Sequence, residues 1–208
     1  MIITYYGGEF FKVQFGDITL AFNPISRDSS LKSSRFGADI VFISTNHKDF
    51  NGIDQVTHGE KKPFIINSPG EYEVKGVFIK GLPSKSGLGM NTIYSISLEN
   101  MNICFLGAMN SPELDAESEE ALDGIDILFV PIGGEEVLDP VKAYKLAISL
   151  EAKIIIPMHY GDMGMKDALK VFLKEAGENP ISESKLTLKK KDLEGKEGSI
   201  AILDSSKE

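Results

Sequence analysis

Two stretches, Asp126-Ile127-Leu128-Phe129-Val130-Pro131-Ile132-Gly133-Gly134 and Lys153-Ile154-Ile155-Ile156-Pro157-Met158-His159-Tyr160, decide how this chain is read. Each opens on a short, uninterrupted apolar run, the mark of a strand buried on both faces. Between them, Asp139-Pro140 predicts a helix start, with an N-capping aspartate and proline at the first helical position. Val141, Tyr144, Leu146, Ile148 and Leu150 then supply its apolar face. A second helical period follows over 165–176, through Leu169, Val171, Phe172 and Leu173, and Gly177 stops it.

Upstream, strand signals dominate. Runs at 2–6, 9–15 and 18–22 are rich in β-branched and aromatic residues, and Gly7-Gly8 and Gly16-Asp17 separate them as hairpin turns. A polar loop from Asn23-Pro24 leads to another buried run at 39–43, then to a loop over 44–52. Strands are predicted at 64–67, 72–74, 77–80, 92–98 and 102–106, with Gly87-Leu88-Gly89 as a flexible loop. A helix is predicted over 112–122, and two last strands at 185–189 and 199–203. No internal repeat and no Pro-, Gly- or Ser-rich linker interrupts the pattern. The expectation is a single α/β domain over residues 1–208, two packed sheets with helices outside.

Composition narrows the function classes. Of 208 residues, 42% are hydrophobic and 25% charged, which excludes a disordered or collagen-like chain. No stretch approaches the ~18 apolar residues of a membrane span, and Met1–Tyr6 has no basic leader. The 22 basic and 31 acidic residues give a net charge of −9, and Lys189-Lys190-Lys191 is followed at once by acids. Nucleic-acid binding, which needs clustered cations, is therefore not expected, nor is a membrane partner. The one cysteine, Cys104, lies in an apolar run and predicts a small core residue. It can form no internal disulfide, so a cytoplasmic location is expected.

Several segments, taken in order, carry a family resemblance. Ile3-Thr4-Tyr5-Tyr6-Gly7-Gly8-Glu9-Phe10-Phe11, Ala21-Phe22-Asn23-Pro24, Ile43-Ser44-Thr45-Asn46-His47-Lys48-Asp49-Phe50-Asn51-Gly52 and Ser68-Pro69-Gly70-Glu71-Tyr72 come first. Phe105-Leu106-Gly107, 126–134 and 154–160 follow. Together, over about residues 1–160, they resemble the metallo-β-lactamase fold family, in the branch of zinc-dependent hydrolases similar to ascorbate-6-phosphate lactonase. The resemblance implies a four-layer αββα sandwich of metallo-β-lactamase type. It also implies one or two metal ions that lower the pKa of a bound water for attack on an ester, lactone, amide or phosphodiester.

The same alignment shows departures from the family's metal motif. Where the family carries His-x-His-x-Asp-His, this chain has Thr45, His47, Asp49 and Phe50. Gly8 stands at the hairpin histidine, Asn23 at the aspartate before proline, and Ala108 at an acidic position. The third metal histidine, expected near Asn110 or Ser111, is absent, and only the terminal one remains, as His159. Zinc needs about three protein ligands and an open position, so no cofactor is expected. The residual metal candidates are His47, Asp49 and His159, with Asp49 and His159 as catalytic candidates.

Three readings stay open: a catalytically impaired protein that binds a small molecule or protein partner, a single-metal hydrolase using those three residues, and a structural subunit of a homo- or hetero-oligomer. Phe50 is expected to fill the old second-metal space and dry the cleft. A cleft lined by Asn46, His47, Asp49, Asn110, Ser111 and His159 would be polar and neutral to mildly acidic, favouring an uncharged or cationic ligand over a phosphorylated one. The plainer alternatives are a polar turn for Asn46–Asp49, a hydrogen-bonded strand-end histidine for His159, an exposed His58, and solvated edge carboxylates for Glu71 and Glu73.

Overall fold

The computed structural model describes residues 1–60 and 62–206. Its first sheet has six strands: β1 (Ile2–Tyr5), β2 (Phe11–Phe15), β3 (Ile18–Phe22), β4 (Ile40–Phe42), β5 (Phe64–Ile66) and β12 (Leu186–Thr187), in the order β12-β1-β2-β3-β4-β5. The glycine turns make β1, β2 and β3 an antiparallel meander, with Ile3 opposite Val13 and Val13 opposite Leu20. β4 then joins β3 in parallel, and β5 joins β4 likewise.

The second sheet has seven strands: β6 (Gly70–Val74), β7 (Val77–Ser86), β8 (Gly89–Leu98), β9 (Met101–Phe105), β10 (Ile127–Pro131), β11 (Ile154–Met158) and β13 (Ser199–Ile200). They run β13-β11-β10-β9-β8-β7-β6. The two deciding apolar runs, β10 and β11, are parallel neighbours just inside the β13 edge, and every residue of both is buried. Alternate residues of the two sheets face each other across one core, where Phe11, Phe22, Phe42, Tyr94, Phe105 and Phe129 stack or meet edge-on. Such aromatic pairs add about 0.5–1.5 kcal/mol each beyond the area they bury.

Helices α1 (Ala116–Ala121), α2 (Pro140–Ser149) and α3 (Ala168–Ala176) cover the outer face of the second sheet, over Cys104, Leu128, Val130 and Ile155. Asp139 caps α2 as expected, accepting from the N–H groups of Val141 and Lys142. Gly177, in the left-handed conformation, ends α3. The first sheet's outer face is covered by Ile25, Ala38, Ile43 and Val56 from the segment 24–56, which carries one 3-10 turn at Ile53–Gln55. The architecture is the two-sheet α/β sandwich that the resemblance implied.

Several boundaries differ from the expectations, each for a local reason. The helix predicted over 112–122 starts only at Ala116, because the Asp115 side chain accepts from Ser118 N and so fixes the N-terminus there. The helix predicted over 165–176 begins at Ala168, after a turn closed by Ala168 N to Met165 O. Gly87-Leu88-Gly89 is no flexible loop: β7 and β8 extend to Ser86 and from Gly89, leaving a tight turn. That turn is pinned by Gly87 N to Glu136 O at 2.8 Å. The strands at 185–189 and 199–203 shorten to two residues each, since each pairs with only a sheet's edge. Cys104 is buried, and burial pushes its thiol pKa far up, which leaves it an inert core residue.

Candidate functional site

The ends of β3, β4, β9, β10 and β11, with the turn between β1 and β2, converge at one edge of the sandwich. Close backbone approach makes this convergence possible. A Cβ on Gly107 would lie 2.4 Å from Ser44 Cβ, and one on Gly133 would lie 2.4 Å from His159 Cδ2, so neither position admits a side chain without displacement.

Beneath this edge lies a buried polar network. His159, just beyond β11, is 3% exposed and has left-handed backbone (φ 61°). Its N–H donates to Gly8 O at 2.7 Å, which holds that conformation in place. Its Nδ1 lies 2.7 Å from Glu9 Oε1. A carboxylate only accepts, so the shared proton belongs on Nδ1. The other Glu9 oxygen, Oε2, accepts from Asn23 Nδ2 at 2.7 Å. Asn23 Nδ2 also reaches Ser44 Oγ at 2.7 Å, and Ser44 N donates back to Asn23 Oδ1 at 2.8 Å. Glu9 and Asn23 are fully buried. Below them Tyr5 donates to Gly8 O, and burial, together with Tyr160, Glu9 and Asp162, raises its phenol pKa.

A second polar knot sits beside the first. Asn91 Oδ1 accepts from Ala108 N at 2.9 Å and from Thr45 Oγ1 at 3.2 Å. Its Nδ2 donates to Ser84 Oγ and Leu106 O. Among the described residues no buried side-chain nitrogen or oxygen lacks a hydrogen-bond partner.

The other half of the edge is apolar. Phe50 is fully buried in a cluster with Ala108 and Val137, and Leu88 and Met163 pack against it. Its ring centroid is 5.8 Å from that of His47 and 6.0 Å from that of His159. His47, at the half-buried margin, keeps its aspartate: His47 Nδ1 is 3.5 Å from Asp49 Oδ2, and Asp49 also accepts from Ser29 Oγ.

The predicted site residues thus fall into separate places. His47 and Asp49 are together, whereas His159 is paired with Glu9. Asn46 is exposed and accepts from Asn51 Nδ2, Asn110 is exposed with its N–H on Lys85 O, and Ser111 Oγ accepts from Glu113 N. His58, Glu71 and Glu73 are exposed. Among the described residues, no three His, Cys, Asp or Glu side chains come together as a group able to hold a metal ion. Sequence reasoning missed Glu9 and Asn91. Glu9 carried a readable signal, a lone acid between Gly8 and Phe10-Phe11 in an apolar strand run, whereas Asn91 carried none.

Next to the polar half is an open cavity of about 330 Å³. Thr45, Asn46, Asn67 and Ser68 line it on one side, and Leu88 and Met90 of the β7–β8 hairpin on the other.

Comparisons with known proteins agree with this architecture. The sequence profile of the "Beta-lactamase superfamily domain" matches residues 2–159. A Listeria monocytogenes protein named as a UPF0173 metal-dependent hydrolase is 23% identical over 195 residues, covering 77% of this chain and 85% of its own. A Thermotoga maritima structure of the metallo-β-lactamase superfamily, provisionally described as a Zn-dependent hydrolase, is similar with 28% identity and a TM-score of 0.78. That match covers 97% of each chain. Igni18, a metallo hydrolase from Ignicoccus hospitalis, shares the fold at 17% identity and a TM-score of 0.64, over 99% of this chain and 96% of its own.

Proposed function

The chain belongs to the β-lactamase superfamily of metal-dependent hydrolase folds, and from that premise we propose that it is a catalytically impaired member, a binding protein whose metal centre has been replaced. The side chains at the family's other ligand positions carry the reading. A metal-ligating histidine presents one ring nitrogen to the ion and orients itself with the other. Glu9, itself held by Asn23, orients the retained His159 in that way and leaves its Nε2 as a single donor. The neighbouring ligand positions carry Gly8, Thr45, Phe50 and Ala108, which offer a metal no imidazole, carboxylate or thiolate. Phe50 packs against Ala108 and Val137 and brings no donor atom to this edge. The donor set therefore does not fit the family's metal centre, and we derive no hydrolytic step through one.

The names of the relatives favour the opposite reading, a metal-dependent hydrolase, and the His47–Asp49 pair is the observation on its side. Elemental analysis of protein purified without added metal separates the two. The expected result is less than stoichiometric zinc, manganese or iron and no turnover of lactone, ester or phosphodiester substrates. About one tightly held ion per chain, removed by chelation together with an activity, overturns the proposal. For location we propose a reducing cytoplasm, supported by the single, buried Cys104; no helix among the described residues is long and apolar enough to cross a membrane.

A further inference from the structure

The cavity beside the polar half has a lining that defines a ligand class. Its side chains are Ser44, Thr45, Asn46, Asn67, Ser68 and Pro69 on the strand-end loops, faced by Leu88, Met90, Asn91 and Thr92 of the hairpin. None of them is charged. An anion entering it would meet no cation and a cation no carboxylate, so neither would recover its hydration energy. Hydroxyl and amide groups both donate and accept, at short spacing, and so match ligand hydroxyls, which do the same. Leu88 and Met90 add an apolar wall, with Met90 69% exposed.

The walls are held in advance of any ligand. Thr92 N donates to Ser44 O at 2.9 Å, tying the hairpin to the β4 end. Thr45 is bonded to Asn91, and Asn91 in turn to Ser84, Leu106 and Ala108. The hairpin tip is fixed to Glu136 O. Asn67, by contrast, is exposed, and its side-chain amide bonds to no described residue. Preorganised walls with a few open polar groups are the usual make-up of a small-molecule site, and about 330 Å³ is at the small end of that range.

We infer that this cavity binds an uncharged, polyhydroxylated small molecule of one ring, with hydroxyls toward Thr45, Asn46, Asn67 and Ser68 and an apolar face against Leu88 and Met90. The inference deepens the reading above and rests on it in one respect: the ligand is bound and released unchanged.

Backbone amide NMR titration tests it, with myo-inositol and a methyl glucoside as neutral probes, glucose 6-phosphate and glucosamine as charged ones, and acetamide as a neutral probe without hydroxyls. The neutral polyols are expected to shift the amides of 44–46, 67–68 and 88–92. The phosphate ester is expected to bind at least about tenfold more weakly than its neutral counterpart, the cost of leaving a charge unpaired. Asn67→Ala and Met90→Ala, both at exposed positions, are expected to weaken the polyol response by about fivefold or more while leaving the unfolding midpoint in place. No response at these amides to either polyol, a tighter response to glucose 6-phosphate or glucosamine, or a response to acetamide alone overturns the inference. Metal content and hydrolysis are measured on the same preparation. A metal-free, inactive protein with no polyol response sinks this inference and leaves the proposed function standing. A metal-loaded, active protein that binds polyol at these residues sinks the proposed function and keeps the site.

Discussion

Around His159 the convergent edge is polar, and around Phe50 it is apolar, yet both halves sit below the same strand ends. The polar half is a chain of short hydrogen bonds from His159 through Glu9 and Asn23 to Ser44. In a low-dielectric interior such a chain stands only when every member is satisfied, so it depends on the identity of each residue. The apolar half depends on volume: Phe50, Ala108 and Val137 fill space, and any group of the right size and polarity would do. Side by side, they are two ways to hold buried groups at one edge, one by matching charge and hydrogen bonds, the other by excluding water.

Substitutions in each half measure that contrast. Phe50→Ala has the largest expected effect. Removing a fully buried ring leaves a cavity, and urea unfolding should show a loss of about 3–5 kcal/mol. A loss below about 1 kcal/mol would mean that the cluster collapses around the gap and that volume is not what holds it. Glu9→Ala comes next. It orphans His159 Nδ1 and one Asn23 donor, each costing about 1–3 kcal/mol when buried and unsatisfied, and water entering the space that Glu9 leaves keeps the expected loss in the lower half of that sum, about 2–4 kcal/mol. Glu9→Gln should cost clearly less, because the amide oxygen still accepts from Asn23 and the amide nitrogen can donate to the other histidine tautomer. Equal losses in the two variants would show that the carboxylate's charge, not the hydrogen-bond count, matters.

Phe50→His places a polar ring in the apolar half and forgoes burial worth about 1.5–3 kcal/mol. It should destabilise by about that amount and restore no esterase turnover. A Phe50→His protein of unchanged stability that hydrolyses an ester would show that the apolar half still is a metal pocket. The smallest effect belongs to His47→Ala. His47 is at the half-buried margin, with Asp49 at 3.5 Å, and the change should stay within about 0.5 kcal/mol in the presence or absence of chelator. A larger loss seen only without chelator would make His47 a ligand.

Much of this molecule was legible along the chain. The uninterrupted apolar runs at Ile127–Val130 and Ile154–Ile156 read as strands covered on both faces, and they are parallel neighbours inside the second sheet. Asp139-Pro140 and Gly177 marked helix ends by local chemistry alone. The long β7–β8 hairpin was less visible, because its outer residues, Ser84, Lys85 and Ser86, carry no apolar alternation and hold their strand only by pairing with Asn91, Met90 and Gly89.

By itself the sequence determined the order of elements, which is read from neighbours a few residues apart, while the sandwich type and the departures Thr45, Phe50 and Ala108 follow from its resemblance to the family. Tertiary structure alone decided what fills the place of the departures. Glu9 and His159 are 150 positions apart and meet because the β1–β2 turn and the end of β11 reach the same edge. Asn91 ties Thr45 to Ala108 from a third strand. Hydrogen bonds and packing act over a few ångströms in space, and a linear pattern carries no distance between residues that only the folded sheets bring into contact.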